Sequence, residues 1–97
     1  MSYSFSVIAD TKAEAKQKIA DSFANVVNGQ PSHAADQAAV VACGQAFVDL
    51  LADPQEGDEI YVNMYGSLSW HNDDVGGTFL SGGVTVNASL RNKVVSN

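Results

Sequence analysis

The run Ile60-Tyr61-Val62-Asn63-Met64-Tyr65-Gly66-Ser67-Leu68-Ser69-Trp70-His71 alternates with a period of two. Ile60, Val62, Met64, Leu68 and Trp70 fall on one side, and Tyr61, Asn63, Tyr65, Ser67, Ser69 and His71 on the other. Successive side chains of a strand point to opposite faces, so the pattern predicts a strand with one apolar and one polar face. Gly66 interrupts the apolar side and marks either a bulge or a large neighbour. Met64 and Trp70 are expected in the core.

Downstream, Asn72-Asp73-Asp74-Val75-Gly76-Gly77 is turn chemistry. A last strand follows, with Leu80, Val84, Val86, Ala88 and Leu90 on its apolar side and Thr85, Asn87 and Ser89 facing the other way. Gly82-Gly83 predicts a bulge or kink near its start. Upstream, residues 53–59 read as an acidic loop, Asp53-Pro54-Gln55-Glu56-Gly57-Asp58-Glu59.

Before that loop a second helix is predicted from Ser32 as N-cap to about Ala52, where Asp53-Pro54 stops it. Asp36 lies in its first turn, where the helix dipole favours a carboxylate. Only Gln37, Gln45, Asp49 and Asp53 interrupt an otherwise small and apolar surface, so the helix is expected to be covered on most sides. Gly44 weakens the helix by about 1 kcal/mol relative to Ala, which close packing at that point would offset.

A first helix is clearer still. Thr11-Lys12-Ala13-Glu14 has the capping-box pattern, Ala15, Ile19, Phe23, Val26 and Val27 follow at helical spacing, and Asn28-Gly29 reads as the C-cap. Glu14 stands four residues before Lys18, the favourable order for an ion pair along a helix. Residues 3–9 alternate as a first strand, with Phe5, Val7 and Ala9 opposite Ser4, Ser6 and Ile8. The order β-α-α-β-β predicts an α+β fold of two layers. A three-stranded antiparallel or mixed sheet carries an αα-hairpin on one face, in a single domain over 1–97.

Composition bounds the function. The chain has 97 residues, 45% hydrophobic and 16% charged, with eleven acids, five bases and a net charge of -6. The hydrophobic fraction excludes a disordered chain. The acid excess argues against direct nucleic-acid binding, which draws on clustered Lys and Arg. DNA mimicry is thin at this charge density. Cys43 is the single cysteine, so no disulfide framework forms within the chain. The first residues carry no basic region followed by an apolar stretch, and no apolar run reaches membrane-span length, so a cytoplasmic location without membrane contact is expected.

The predicted sheet face turned away from the helices gathers Ser4, Ser6, Tyr61, Asn63, Tyr65, Ser67, Ser69, His71, Thr85, Asn87 and Ser89. With His71 neutral, none is charged. Open strands usually carry Lys, Glu or Arg against unwanted pairing. A surface of Tyr, Ser and Asn has instead the composition of a binding surface. Against this stands a plain solvated face in a protein with few charges. Tyr61, Asn63, Tyr65, Ser67 and His71 are therefore the candidate partner or ligand contacts, and Asp58 and Glu59 are candidates for a basic partner.

Catalytic and metal chemistry find little support. Cys43 sits among apolar helix residues and reads as an inert core thiol. His71 beside Asp73 and Asp74 could serve as a base or ligand, but no second His or Cys stands at ligand spacing. The acidic loop lacks the calcium-loop spacing, and the glycine pairs lack the register of a phosphate cradle. No catalytic residue, metal or cofactor is expected.

The stretches Ser2-Tyr3-Ser4-Phe5-Ser6-Val7 and Phe47-Val48-Asp49-Leu50-Leu51, with Gly57-Asp58-Glu59-Ile60-Tyr61-Val62, resemble small bacteriophage and prophage accessory proteins. The resemblance assigns no site residues. It implies an accessory protein of the host cytoplasm that inhibits a host process such as defence, or a virion component. The expectation is a non-enzymatic binding module that forms a homo-oligomer through the uncharged sheet face, the small-residue second helix, or both, and whose partner is a host protein or small ligand. A minor virion or decoration subunit is the first alternative, and a small enzyme with its site at a subunit junction the second.

Overall fold

The computed structural model describes residues 2–28, 34–72 and 78–93, with the backbone alone for 34–36, 70–72 and 78–81. The elements run β1 (Ser2–Ala9), α1 (Lys12–Val26), α2 (Ala34–Asp49), β2 (Asp58–Asn72) and β3 (Thr78–Asn92). The three strands form one sheet in the order β1-β2-β3, antiparallel throughout. This is the expected α+β architecture, with the "mixed" option removed.

Alternation sets the two faces. Odd residues of β1 and even residues of β2 and β3 turn toward the helices, giving the rows Ala9–Ile60–Leu90, Val7–Val62–Ala88, Phe5–Met64–Val86 and Tyr3–Gly66–Val84. α1 packs over β1 and α2 over β3. Ala15, Ile19 and Phe23 from α1 and Val48 from α2 meet Val7, Ile60, Val62, Met64 and Leu68 in the core. Phe23, Ile19, Ile60 and Met64 are the largest side chains wholly removed from water.

α1 begins as its sequence dictates. Thr11 takes the extended conformation and its hydroxyl accepts from the Glu14 amide at 3.1 Å. Only half of the capping box forms, because the Glu14 carboxylate turns to Lys18 at 2.9 Å. The helix ends at Val26, with Val27 as C-cap, ahead of the expected Asn28-Gly29. Gly29 and the expected N-cap Ser32 lie outside the described residues.

α2 departs further from expectation. It stops at Asp49, short of Ala52. Lys12 donates to the Asp49 carbonyl at 3.4 Å, and Lys16 pairs with the Asp49 carboxylate at 3.1 Å, so side chains of α1 bind this end. The helix is also covered on one side only. Gly44 and Val48 are buried, whereas Ala38, Ala39, Ala42, Ala46, Phe47 and Leu50 are exposed. Two helices side by side on three strands offer each helix one neighbour and one sheet face, which leaves the outer half uncovered. Cys43, expected in the core, stands on the flank and is only partly buried.

Two glycines show their reasons. A Cβ on Gly44 would stand 2.6 Å from Met64 Sδ and 3.3 Å from Ile19 Cγ2, so its absence lets α2 settle on the core. A Cβ on Gly66 would collide with the Gly83 carbonyl and lie 3.1 Å from Tyr3 Oη. Gly66 therefore marks a close approach, tightest to the β3 backbone and next to the Tyr3 hydroxyl, rather than a bulge. The register through Gly82 and Gly83 is unbroken, so no bulge forms there. Gly66, Gly82 and Gly83 stand in or beside the row Ser2–Ser67–Gly83, where β1 begins. Beyond it β2 and β3 continue as a two-stranded ribbon to Asn72↔Thr78, and the molecule extends 59 Å along its long axis.

Candidate functional site

The open face of the sheet is built by the opposite parity. Its rows are Ile8–Tyr61–Ser89, Ser6–Asn63–Asn87, Ser4–Tyr65–Thr85 and Ser2–Ser67–Gly83. The structure thus brings Tyr61, Asn63, Tyr65 and Ser67 onto one surface, as the alternation predicted. Ser4, Ser6, Ser67, Thr85, Asn87 and Ser89 are all exposed.

A hydrogen-bonded group occupies the middle of this face. Asn63 Nδ2 donates to Ser6 Oγ at 3.2 Å and to the Phe5 carbonyl at 3.3 Å. The Ser6 and Tyr61 hydroxyls share a hydrogen bond of 3.3 Å. Neutral donors and acceptors joined in this way hold their side chains at fixed positions. Ile8 adds an apolar spot, exposed to 44%.

The face is not free of charge along its whole length. β2 begins at Asp58 rather than Ile60, so Glu59 belongs to the strand, directly opposite Arg91. Arg91 Nε donates to Glu59 Oε1 at 2.8 Å, and its guanidinium lies 4.5 Å over the Tyr61 ring. An ion pair on an aromatic face closes this end of the sheet. Glu59 is thus a strand residue and not part of the acidic loop, and Arg91 joins the candidate face. The signal was available, since the odd-position series of both strands runs on to these residues.

This changes the part each candidate can play. Tyr61 is half-buried beneath Arg91, whereas Tyr65 remains open at 44% exposure. Glu59 is engaged by Arg91. Asp58 Oδ2 accepts from the Gln55 amide at 3.0 Å, and the Asp58 amide donates to the Gln55 carbonyl at 2.9 Å. Gly57, at φ 88°, supplies the left-handed residue this turn demands. Asp58 and Glu59 are thus bound within the chain. The His71 side chain, with Asp73 and Asp74, lies outside the described residues.

Charges elsewhere follow a simple pattern. All five basic side chains stand in ion pairs: Lys12–Asp53, Lys16–Asp49, Lys18–Glu14, Arg91–Glu59 and Lys93–Asp10. The Asp10 carboxylate holds Lys93 above the usual lysine range. The net charge of -6 thus resides on carboxylates outside these pairs. No cluster of three or more His, Cys, Asp or Glu positioned for a metal occurs among the described residues. Among them, no helix is long and apolar enough to cross a membrane.

No family model matches the chain. The comparison with curated proteins gives no match. The comparison with solved structures gives none either.

Proposed function

We propose that this protein is a non-enzymatic binding module that works as a homo-oligomer and presents the open sheet face to a host protein or a small ligand. The observation that carries this reading is the block of three successive rows, Ser2–Ser67–Gly83, Ser4–Tyr65–Thr85 and Ser6–Asn63–Asn87. No charged side chain stands in any of them, and the exposed Tyr65 ring lies at their centre. Desolvating hydroxyls and amides that find new partners costs far less than desolvating ions. A tyrosine adds amphipathic contact area with little loss of side-chain freedom. The described carboxylates outside the ion pairs, Asp21, Glu56 and Asp58, stand off these rows, so this face offers a partner close approach without charge repulsion.

The resemblance to phage accessory proteins supports a host protein as the partner and inhibition of a host process, defence included, as the consequence. Five bases against eleven acids, each base standing beside a carboxylate, argue against direct nucleic-acid contact, which draws on clustered unpaired Lys and Arg.

A photo-crosslinking amino acid at position 65, introduced in the producing cell, tests this. Crosslinked adducts of defined mass are expected from position 65 and not from position 56, in the exposed acidic loop. If position 65 yields no adduct above the position 56 control, the reading fails.

A further inference from the structure

We propose that two copies of this chain join edge to edge along β3, antiparallel about a two-fold axis at Asn87, into one continuous six-stranded sheet. The inference deepens the reading of the protein as an oligomer by naming its seam, and rests on that reading.

The two edges of the sheet are treated differently. β1 is short, and Lys18 Nζ donates to the Ile8 carbonyl at 2.7 Å, placing an ammonium on that edge strand. Short length and lysine are the means by which proteins blunt an edge. β3 has fifteen residues, and from Thr78 to Leu90 it contains no charged residue and no proline. Among the described residues no strand pairs with its outer side.

The occupant follows from the sequence of that edge. Val84-Thr85-Val86-Asn87-Ala88-Ser89-Leu90 is symmetric in residue type about Asn87. Antiparallel pairing with a second copy about this centre sets Val86 against Ala88, Thr85 against Ser89 and Val84 against Leu90 of the other copy. Apolar meets apolar on the helix face and hydroxyl meets hydroxyl on the open face. Arg91 then falls opposite Gly83, so no two like charges face each other in these rows. Directly opposed pairs are the unit of sheet stabilisation, and this strand complements itself row by row.

The layer above agrees. Val84, Val86, Ala88 and Leu90 are only partly buried, because α2 covers them from above and no described strand flanks them from the side. At 100° per residue, Cys43 and Phe47 lie on the flank of α2 turned away from α1, the side on which β3 has its free edge, and Leu50 follows on that side just past the helix end. Phe47 is 43% and Leu50 81% exposed. A two-fold axis at Asn87 brings this flank toward its own copy, as an isologous contact requires. The joined sheets would extend the neutral open face across both copies.

Engineered thiols test the register, with Cys43→Ala as background. Directly opposed antiparallel residues lie about 4.5–5.5 Å apart between Cα atoms, within disulfide reach. Asn87→Cys is therefore expected to give a disulfide-linked dimer on oxidation. Thr85→Cys is expected to give none, because two copies of residue 85 stand roughly 13 Å apart in this register. Light scattering on the unmodified chain should give twice 10.2 kDa. Asn87→Lys, at a side chain exposed within one copy, should weaken association by roughly tenfold or more. That variant also lowers the net negative charge, so general repulsion would act in the opposite direction.

A clean monomer overturns both the seam and the oligomeric reading. A dimer in which Thr85→Cys crosslinks as readily as Asn87→Cys overturns the seam alone. So does a dimer that survives Asn87→Lys but dissolves with Tyr61→Lys and Tyr65→Lys, since the copies would then meet through the open face. The position 65 crosslink reports separately on the partner face.

Discussion

Tyr3 carries the one buried side-chain polar atom without a hydrogen-bond partner among the described residues. Its ring meets Phe23 edge-on, at 5.7 Å between centroids and 74° between planes. Its hydroxyl lies over Gly66, where a Cβ would come within 3.1 Å. An unsatisfied buried hydroxyl costs about 1–3 kcal/mol, so Tyr3→Phe should stabilise the fold by about 1 kcal/mol at neutral pH, measured by urea unfolding. Burial raises the Tyr3 pKa from its ordinary value of 10.0, and the nearby Cys43 charge adds to the shift. A folded pKa above the unfolded one means that the folded state keeps its proton longer. The linked stability is complete below pH 10 and is lost as pH rises through the raised value. Lys93 acts in the same sense in both proteins, so only the Tyr3 contribution separates them, and the advantage of Tyr3→Phe should widen above pH 10. A less stable Tyr3→Phe would show that the hydroxyl has found a partner.

At the scale of elements, α1 is a helix that its own sequence writes, whereas α2 is one whose ends and faces its neighbours decide. The Thr11 cap, the Glu14–Lys18 pair and the stripe Ala15, Ile19 and Phe23 are all local or periodic features, and all three form. Thr11→Ala should cost about 1 kcal/mol of stability with unchanged core packing, read as a shift in the urea midpoint at constant slope. No change at all would mean that solvent caps the Glu14 amide equally well. The limits of α2 were not legible in the same way. Its composition is apolar nearly all round, so periodicity could not distinguish the half that packs from the half left open. The termination at Asp49 involves Lys12 and Lys16, which reach across from the other helix.

For the whole molecule, protection should follow the sheet order. β2 is paired on both sides, through β1 and β3, and its Ile60, Val62 and Met64 lie beneath both helices. Amides of β2 between Ile60 and Ser67 should therefore exchange slowest in native-state hydrogen exchange, and those of the two-stranded ribbon beyond Leu68 markedly faster. Equal protection along all of β2 would show that the ribbon is held by something beyond its own strand pairing. The candidate face is a property of this same scale, since each of its rows draws on three strands separated in sequence.

Which residues could share a face follows from the order of amino acids alone, because a period of two or 3.6 is a property of the backbone and needs no partner. These periods therefore specified the β-α-α-β-β order, the apolar rows of the sheet and the neutral series Tyr61, Asn63, Tyr65 and Ser67. What lies against those faces depends on the packing of the folded chain. Arg91 came to rest over Tyr61 through the β2–β3 register, Tyr3 came to lie over Gly66 through the β1–β2 register, and α2 kept an open flank because two helices cannot enclose each other. Contacts of this kind join residues distant along the chain, and they are fixed by how elements pack rather than by any local pattern.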